Sequence, residues 1–382
     1  MTLLKKEDFD KIKNQMLKTE SILSESACKS KDAMRLKEIK ADVRLEYAHD
    51  IDRIIHSLSY TRYIDKTQVY STSHDDHISK RMTHVQFVSR AAKTIARALG
   101  LNEDLCEAIA LGHDIGHVPF GHEGEYILDE ISRKELGEIF AHNLQSARNF
   151  MFVEKNGNGL NLTVQTLDGM MCHNGEFVSN KYEPRKKDLS GFLEEYTKGY
   201  TDETVLKKLR PMTLEGCVVR ISDIIGYIGK DIEDAIRIKK FDRDSIPEDI
   251  TKAIGNNNVD IMNNIILDII QNSFGKEYIS MSDEVYQAIT KLKKFNYANI
   301  YSKSLSDKER EKIKNMFNEL FYFYLNAIEN MDINSDVYTS FLDDMNEEYM
   351  QNTSNKRKVI DYIAGMTDTY ITDMYSKNIL TK

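Results

Sequence analysis

The feature that most constrains this chain's fold is that its apolar residues recur with the period of an α-helix. In residues 79–99, Val85, Val88, Ala92, Ile95 and Leu99 fall on one helical face, and Gly100 follows as a C-terminal stop. Residues 213–239 read as one long helix. Leu214, Cys217, Val218, Ile221, Ile225 and Ile228 line one side of it, and Asp223, Tyr227, Asp231 and Asp234 line the other at spacings of four, four and three. Asn102 before Glu103 reads as a helix start, with Leu105, Ile109 and Gly112 on a face that continues to His113. Only four prolines interrupt 382 residues, so the spacing predicts an all-α fold.

Elsewhere the signals are coarser. Residues 3–48 predict one or two charged amphipathic helices and 71–77 a polar loop. Helical patterns recur at 123–131 and 135–152, a Gly/Asn loop occupies 155–161, and a further helix starts near Thr163. Residues 174–200 read as a polar loop or loose insertion carrying the basic cluster Arg185, Lys186 and Lys187. Pro247 and the Gly-Asn-Asn-Asn run at 255–258 mark a boundary. The expected organisation is a helical cover over 1–43, a core over 44–240 and a C-terminal helical region over 241–382 packed on that core.

A net charge of −9 argues against broad nucleic-acid or membrane-surface binding, though it allows a local basic pocket. The four cysteines are scattered and form no CxxC, which predicts reduced thiols and a cytoplasmic protein. No apolar h-region opens the chain and no apolar run reaches membrane-spanning length. The histidines are the informative residues: all ten lie between His49 and His173, which locates the chemistry in the middle third.

The stretch LGHDIGHVPFGHEGE, residues 111–125, supplies three of them. His113 and Asp114 at a helix end, with His84 and Asp223 from two other helices, form a candidate metal set. Imidazole and carboxylate without thiolate suit Mn, Fe, Co, Ni, Mg or Zn with open coordination positions. Taken singly, His84 on its apolar face would more often be a hydrogen-bonded core residue, so the joint pattern carries the reading. His122 and Glu125, three apart, share one side of a helical turn, so the carboxylate can orient the imidazole. His117 is an alternative proton carrier. Arg81 shares the helix face of His84 and can reach phosphate.

The order His84, His113-Asp114, Asp223 resembles the HD superfamily of metal-dependent phosphohydrolases. Within it, DRIIHS (52–57), HDIGHVPFGHEGE (113–125), FAHNLQS (140–146), RISDIIGYIGKDIEDA (220–235) and DYIAGMTD (361–368) resemble the dGTPase-like branch, the deoxynucleoside-triphosphate triphosphohydrolases. That resemblance implies an HD-domain helical bundle with additional C-terminal helices. It also implies a divalent metal ion and hydrolysis of a dNTP, dGTP first, to the deoxynucleoside and inorganic triphosphate. His122, Glu125 and His117 would serve catalysis; His142 would lie near the phosphates; Tyr227, Asp231 and Gln68 would contact the sugar. A homo-oligomer is implied, with room for a nucleotide effector. Thr61, where many relatives carry a basic residue, and residues 174–212 depart from the pattern. The alternatives are an HD enzyme acting on a nucleoside monophosphate, a cyclic nucleotide or a guanosine polyphosphate, and a nucleotide-sensing regulator without turnover.

Overall fold

Helix formation follows the apolar spacing. In the computed structural model, which describes residues 5–40, 42–70, 75, 77–173 and 178–381, the Arg81–Leu99 helix buries Val85, Val88, Ala92 and Ile95. It closes at Gly100, whose φ of 69° is a left-handed conformation that glycine adopts without a Cβ penalty. Asn102 then caps the Glu103–Gly112 helix, its side chain accepting from the backbone N–H groups of Asp104 and Leu105. These two helices and Leu214–Ile228 pack on one another as the centre of the molecule. Each fully buried Ile, Leu or Val there contributes roughly 1.5–3 kcal/mol. Nineteen α-helices, eight short 3₁₀ or π segments and one two-residue β-pair, Lys181–Tyr182 with Ile279–Ser280, are the regular elements among the described residues. The fold is therefore an all-α bundle with additional C-terminal helices, and no helix of it is long and apolar enough to cross a membrane.

Several segments differ from the sequence reading. The expected continuous helix over 213–239 divides at Gly229 into Leu214–Ile228 and Lys230–Arg237. The pattern at 135–152 belongs to two helices, because Gly121–Leu136 stops at Gly137 and His142–Arg148 begins only after an extended stretch. Residues 6–17 form one helix, after which the N-terminal segment continues in short 3₁₀ turns. The expected loop at 174–200 contains the Leu189–Gly199 helix, capped by Asp188 accepting from the Gly191 N–H. Its burial of Phe192 and Tyr196 overrides its polar composition. Residues 174–177, and residues 71–74 and 76 of the expected 71–77 loop, lie outside the described residues.

Two apolar clusters fill the interior. One joins the three central helices to residues as far as Ile300, and the other packs Val118 and the Gly121–Leu136 helix against residues 313–375. Polar groups tie these regions together. Asp368 accepts from the Phe120 N–H at 2.9 Å and from Thr67, holding Phe120 at a φ of 60° that is unusual for a non-glycine residue. Asp361 receives Arg148 through Nε and Nη2, both at 2.7 Å. The DYIAGMTD segment thus acts as a clasp between the late helices and the turn that bears the histidines.

Glu215, fully buried, accepts from the Cys28 and Asn102 N–H groups at 2.9 and 3.0 Å, while its Oε2 has no partner. Burial raises its carboxyl to about 7, against the pull of those two N–H donors. The folded protein therefore keeps this proton longer than the unfolded chain does. The group's contribution is most favourable below its ordinary value near 4.5 and is lost as pH rises through 7. Glu215→Gln is expected to flatten the pH dependence of the melting temperature between 5 and 8. It should also stabilise the protein at pH 8 by up to about 3 kcal/mol. Parallel melting curves for the two proteins across that range would refute this.

Candidate active site

The site is built where the Glu103–Gly112 helix ends. His113 and Asp114 occupy the first positions of the turn, and Ser146 Oγ fixes it by donating to the His113 carbonyl at 2.5 Å and accepting from the Gly116 N–H at 2.9 Å. Any Cβ at Gly116 would overlap the His142 carbonyl, so only glycine lets this turn lie against the His142–Arg148 helix. Three helices bring the four predicted ligands together. His84 Nε2 lies 3.0 Å from Asp223 Oδ1 and 3.7 Å from Asp114 Oδ2; His113 Nε2 lies 3.3 Å from Asp114 Oδ1 and 3.6 Å from Asp223 Oδ1.

All four are buried. His113 Nδ1 is committed to the Ala110 carbonyl at 2.7 Å, which leaves Nε2 facing the carboxylates, and Nε2 has no hydrogen-bond partner. Burial would depress His113, but Asp114 and Asp223 outweigh it and raise the imidazole to about 9. Burial likewise opposes ionisation of Asp114 and Asp223, yet the surrounding histidines, and Arg81 at Asp114, hold both well below the usual carboxylate range. An unpartnered buried imidazole nitrogen among paired carboxylates is an N/O donor set suited to a divalent cation, and these residues fit one.

Beyond Asp114 the cluster continues. His117 Nε2 lies 3.3 Å from Asp114 Oδ1, and the His117 ring stacks on His142 at 3.8 Å between centroids. Glu125 sits among three imidazoles: His142 Nδ1 at 2.8 Å, His122 Nδ1 at 3.4 Å and His117 Nδ1 at 3.9 Å. Burial, then Arg81 and His142, hold His117 well below its ordinary value, so it is neutral near pH 7. His122 differs from the rest, with a side chain 60% exposed.

The sequence reading missed His173. Its Nε2 lies 3.1 Å from His142 Nε2 and 3.8 Å from Asp114 Oδ1, and its Nδ1 is held by the Met170 carbonyl. Its one signal in the sequence was membership of the histidine-rich third; MMCHNGE offers no helical face on which to place it.

The residues expected to contact substrate lie farther out. Arg81 is buried and donates through Nη1 to Asp114 Oδ2 at 2.5 Å, while its Nε has no partner. Gln68 follows an isolated bridge between Thr67 and Lys80, and its Oε1 is buried without a partner. Tyr227 is half-buried one turn beyond Asp223. Asp231 opens the next helix and accepts from the Tyr301 hydroxyl at 2.8 Å. Burial raises Asp231 to about 7, against that hydrogen bond. The basic cluster at 185–187 lies in a loop with Arg185 and Lys186 exposed, but the Lys187 side chain is buried between Asp168 Oδ1 at 2.5 Å and Glu195 Oε2 at 2.6 Å, and Arg185 pairs with Glu195.

Fold and site together define a class. Residues 81–227 match the family model described as HD domain, and residues 279–377 match one described as Phosphohydrolase-associated domain. A deoxyguanosinetriphosphate triphosphohydrolase-like protein of Caldanaerobacter subterraneus subsp. tengcongensis is 37% identical over 364 residues, covering 94% of this chain and 93% of the relative. Proteins of the same description from Clostridium tetani and Rickettsia rickettsii are 37% and 32% identical, covering 88% and 89% of this chain and 86% and 93% of the relatives. The chain belongs to this family of HD-domain, deoxyguanosinetriphosphate triphosphohydrolase-like proteins.

Proposed function

We propose that the chain hydrolyses a deoxynucleoside triphosphate, dGTP first among them, to the deoxynucleoside and inorganic triphosphate. His84, His113, Asp114 and Asp223 would hold one divalent ion, drawn from Mn, Mg, Fe, Co, Ni and Zn. The observation that carries this reading is the convergence of those four side chains about the unpartnered His113 Nε2, in a chain whose relatives are described as triphosphohydrolase-like. When bound, the ion supplies Lewis-acid polarisation of a phosphoryl oxygen and acidifies water.

The protein's own residues do the rest. Glu125, ionised, orients His122 through its Oε2 and His142 through its Oε1. His122, exposed and paired with a carboxylate, is the proton carrier; buried, neutral His117 instead braces Asp114 and His142. Arg81 keeps its Nε for a phosphate oxygen while Nη1 stays with Asp114. His142 lines the phosphate side. Tyr227, Asp231 and the free Oε1 of Gln68 form the sugar side, where Asp231 can exchange a hydrogen bond with a 3′ hydroxyl.

One assay tests the reaction: all four dNTPs with Mn or Mg, with inorganic products resolved. Tripolyphosphate is expected. Orthophosphate or pyrophosphate would redirect the reading to another phosphoester. Glu125→Ala is expected to lower the rate about 10²–10⁴-fold while leaving the metal content unchanged. A variant that loses its metal would put Glu125 among the ligands instead. The reading extends to a homo-oligomer, which light scattering of the purified chain checks.

A further inference from the structure

Arginine does not shed its charge inside a protein, so a buried guanidinium points to whatever neutralises it. Among the described residues, three arginines are buried: Arg81, Arg220 and Arg357. Arg81 pairs with Asp114, and Arg357 pairs with Glu138. Arg220, 9% exposed, forms no ion pair with any of the described residues. Its Nη1 donates to the Leu209 carbonyl at 2.9 Å, its guanidinium lies 5.9 Å from the centre of the Tyr182 ring, and its Nε is buried with no hydrogen-bond partner. The neighbouring Lys187 shows that this part of the fold does neutralise buried cations, since two carboxylates meet it.

Arg220 lines a cavity of about 490 Å³ between residues 178–185 and 207–211. Among the described residues, five further cations line it, Lys181, Arg185, Lys207, Lys208 and Arg210, against a single carboxylate, Glu183. Lys181, Arg185 and Lys207 are paired with glutamates, whereas Lys208 and Arg210 form no ion pair among the described residues. In a chain of net charge −9, this leaves a concave positive surface with three uncompensated cations, one of them at its floor. None of the imidazoles or carboxylates of the candidate active site lines the cavity.

We propose that this cavity is a second ligand site, which binds a phosphoanion of two or more charges, with Arg220 at the floor and Lys208 and Arg210 at the rim. A guanidinium with an unused Nε suits the paired oxygens of a phosphate group. Three cations match a short phosphate chain better than a single carboxylate, and the volume admits a nucleotide-sized molecule. The phosphate chain can come from two sources, a nucleotide tail or free inorganic oligophosphate. The site stands on its own geometry and does not depend on the reaction proposed above.

The test is calorimetric titration of the full chain in EDTA with inorganic tripolyphosphate and with GTP, for the wild type, Lys208→Gln/Arg210→Gln and Arg220→Gln. Tripolyphosphate affinity is expected to fall at least tenfold in both variants. Ligand-induced elevation of the melting temperature should shrink with it. GTP binding tenfold tighter than tripolyphosphate, with that advantage lost in the variants, assigns the site to a nucleotide; equal affinities assign it to the inorganic chain. Because Lys208 and Arg210 are exposed, the double variant reports even if Arg220→Gln does not fold. Wild-type affinity for both ligands in the double variant would overturn the proposal.

Discussion

Asp114→Ala is expected to abolish turnover and metal binding together, and to destabilise the metal-free protein by about 3–5 kcal/mol. The first effect follows from the position of Asp114: one oxygen faces His113 and His117, and the other faces Arg81 and lies 3.7 Å from His84. No other side chain among the described residues contacts so many members of the cluster. The second effect arises because removing the carboxylate leaves Arg81, 1% exposed, without its ion-pair partner. Asp114→Asn keeps the shape but not the charge, so it should also lose the metal. Metal analysis, turnover and thermal melting of the same preparations check all three. An active, metal-replete Asp114→Ala protein would remove the basis of the ligand assignment.

The second large effect lies far from the metal cluster in sequence. Asp361→Ala removes the carboxylate that receives Arg148 through two nitrogens, the Tyr349 hydroxyl at 2.8 Å and Gln145 Nε2 at 3.1 Å. Asp361 is 2% exposed, and Arg148 would be left with its charge but no carboxylate. A loss of about 3–5 kcal/mol is expected, a fall in melting temperature of roughly 4–6 °C for a chain of this size. Metal content at low temperature should be retained, because Asp361 contacts none of the four candidate ligands. A melting temperature unchanged within a degree would show that the clasp between the late helices and the His142–Arg148 helix contributes nothing.

These two residues also show how unevenly the molecule was written into its sequence. Asp114 was legible because HDIGH places two ligand types side by side at the end of an apolar helical face, beside glycines that only a tight turn requires. Asp361 was legible as part of a family-like segment, but its partner Arg148, 213 positions away, was not. His173 was invisible as a site residue for the same reason. Its ring reaches His142 and Asp114 only because the Val164–Met171 helix packs beside His142–Arg148.

What the sequence determined by itself is what local physics governs: helical period, the caps at Gly100, Asn102 and Thr163, and the ligand types available to a cation. Those depend on residues within one or two turns of each other, so a linear reading reaches them. Only the tertiary structure decided which charges are buried and what meets them. It paired Arg81 with Asp114, enclosed Lys187 between two carboxylates, left Arg220 with none among the described residues, and folded the polar 189–199 segment into a helix. The physical reason is that the cost of burying a charge, and the groups that offset it, are set by neighbours in space, which the order of residues along the chain does not specify.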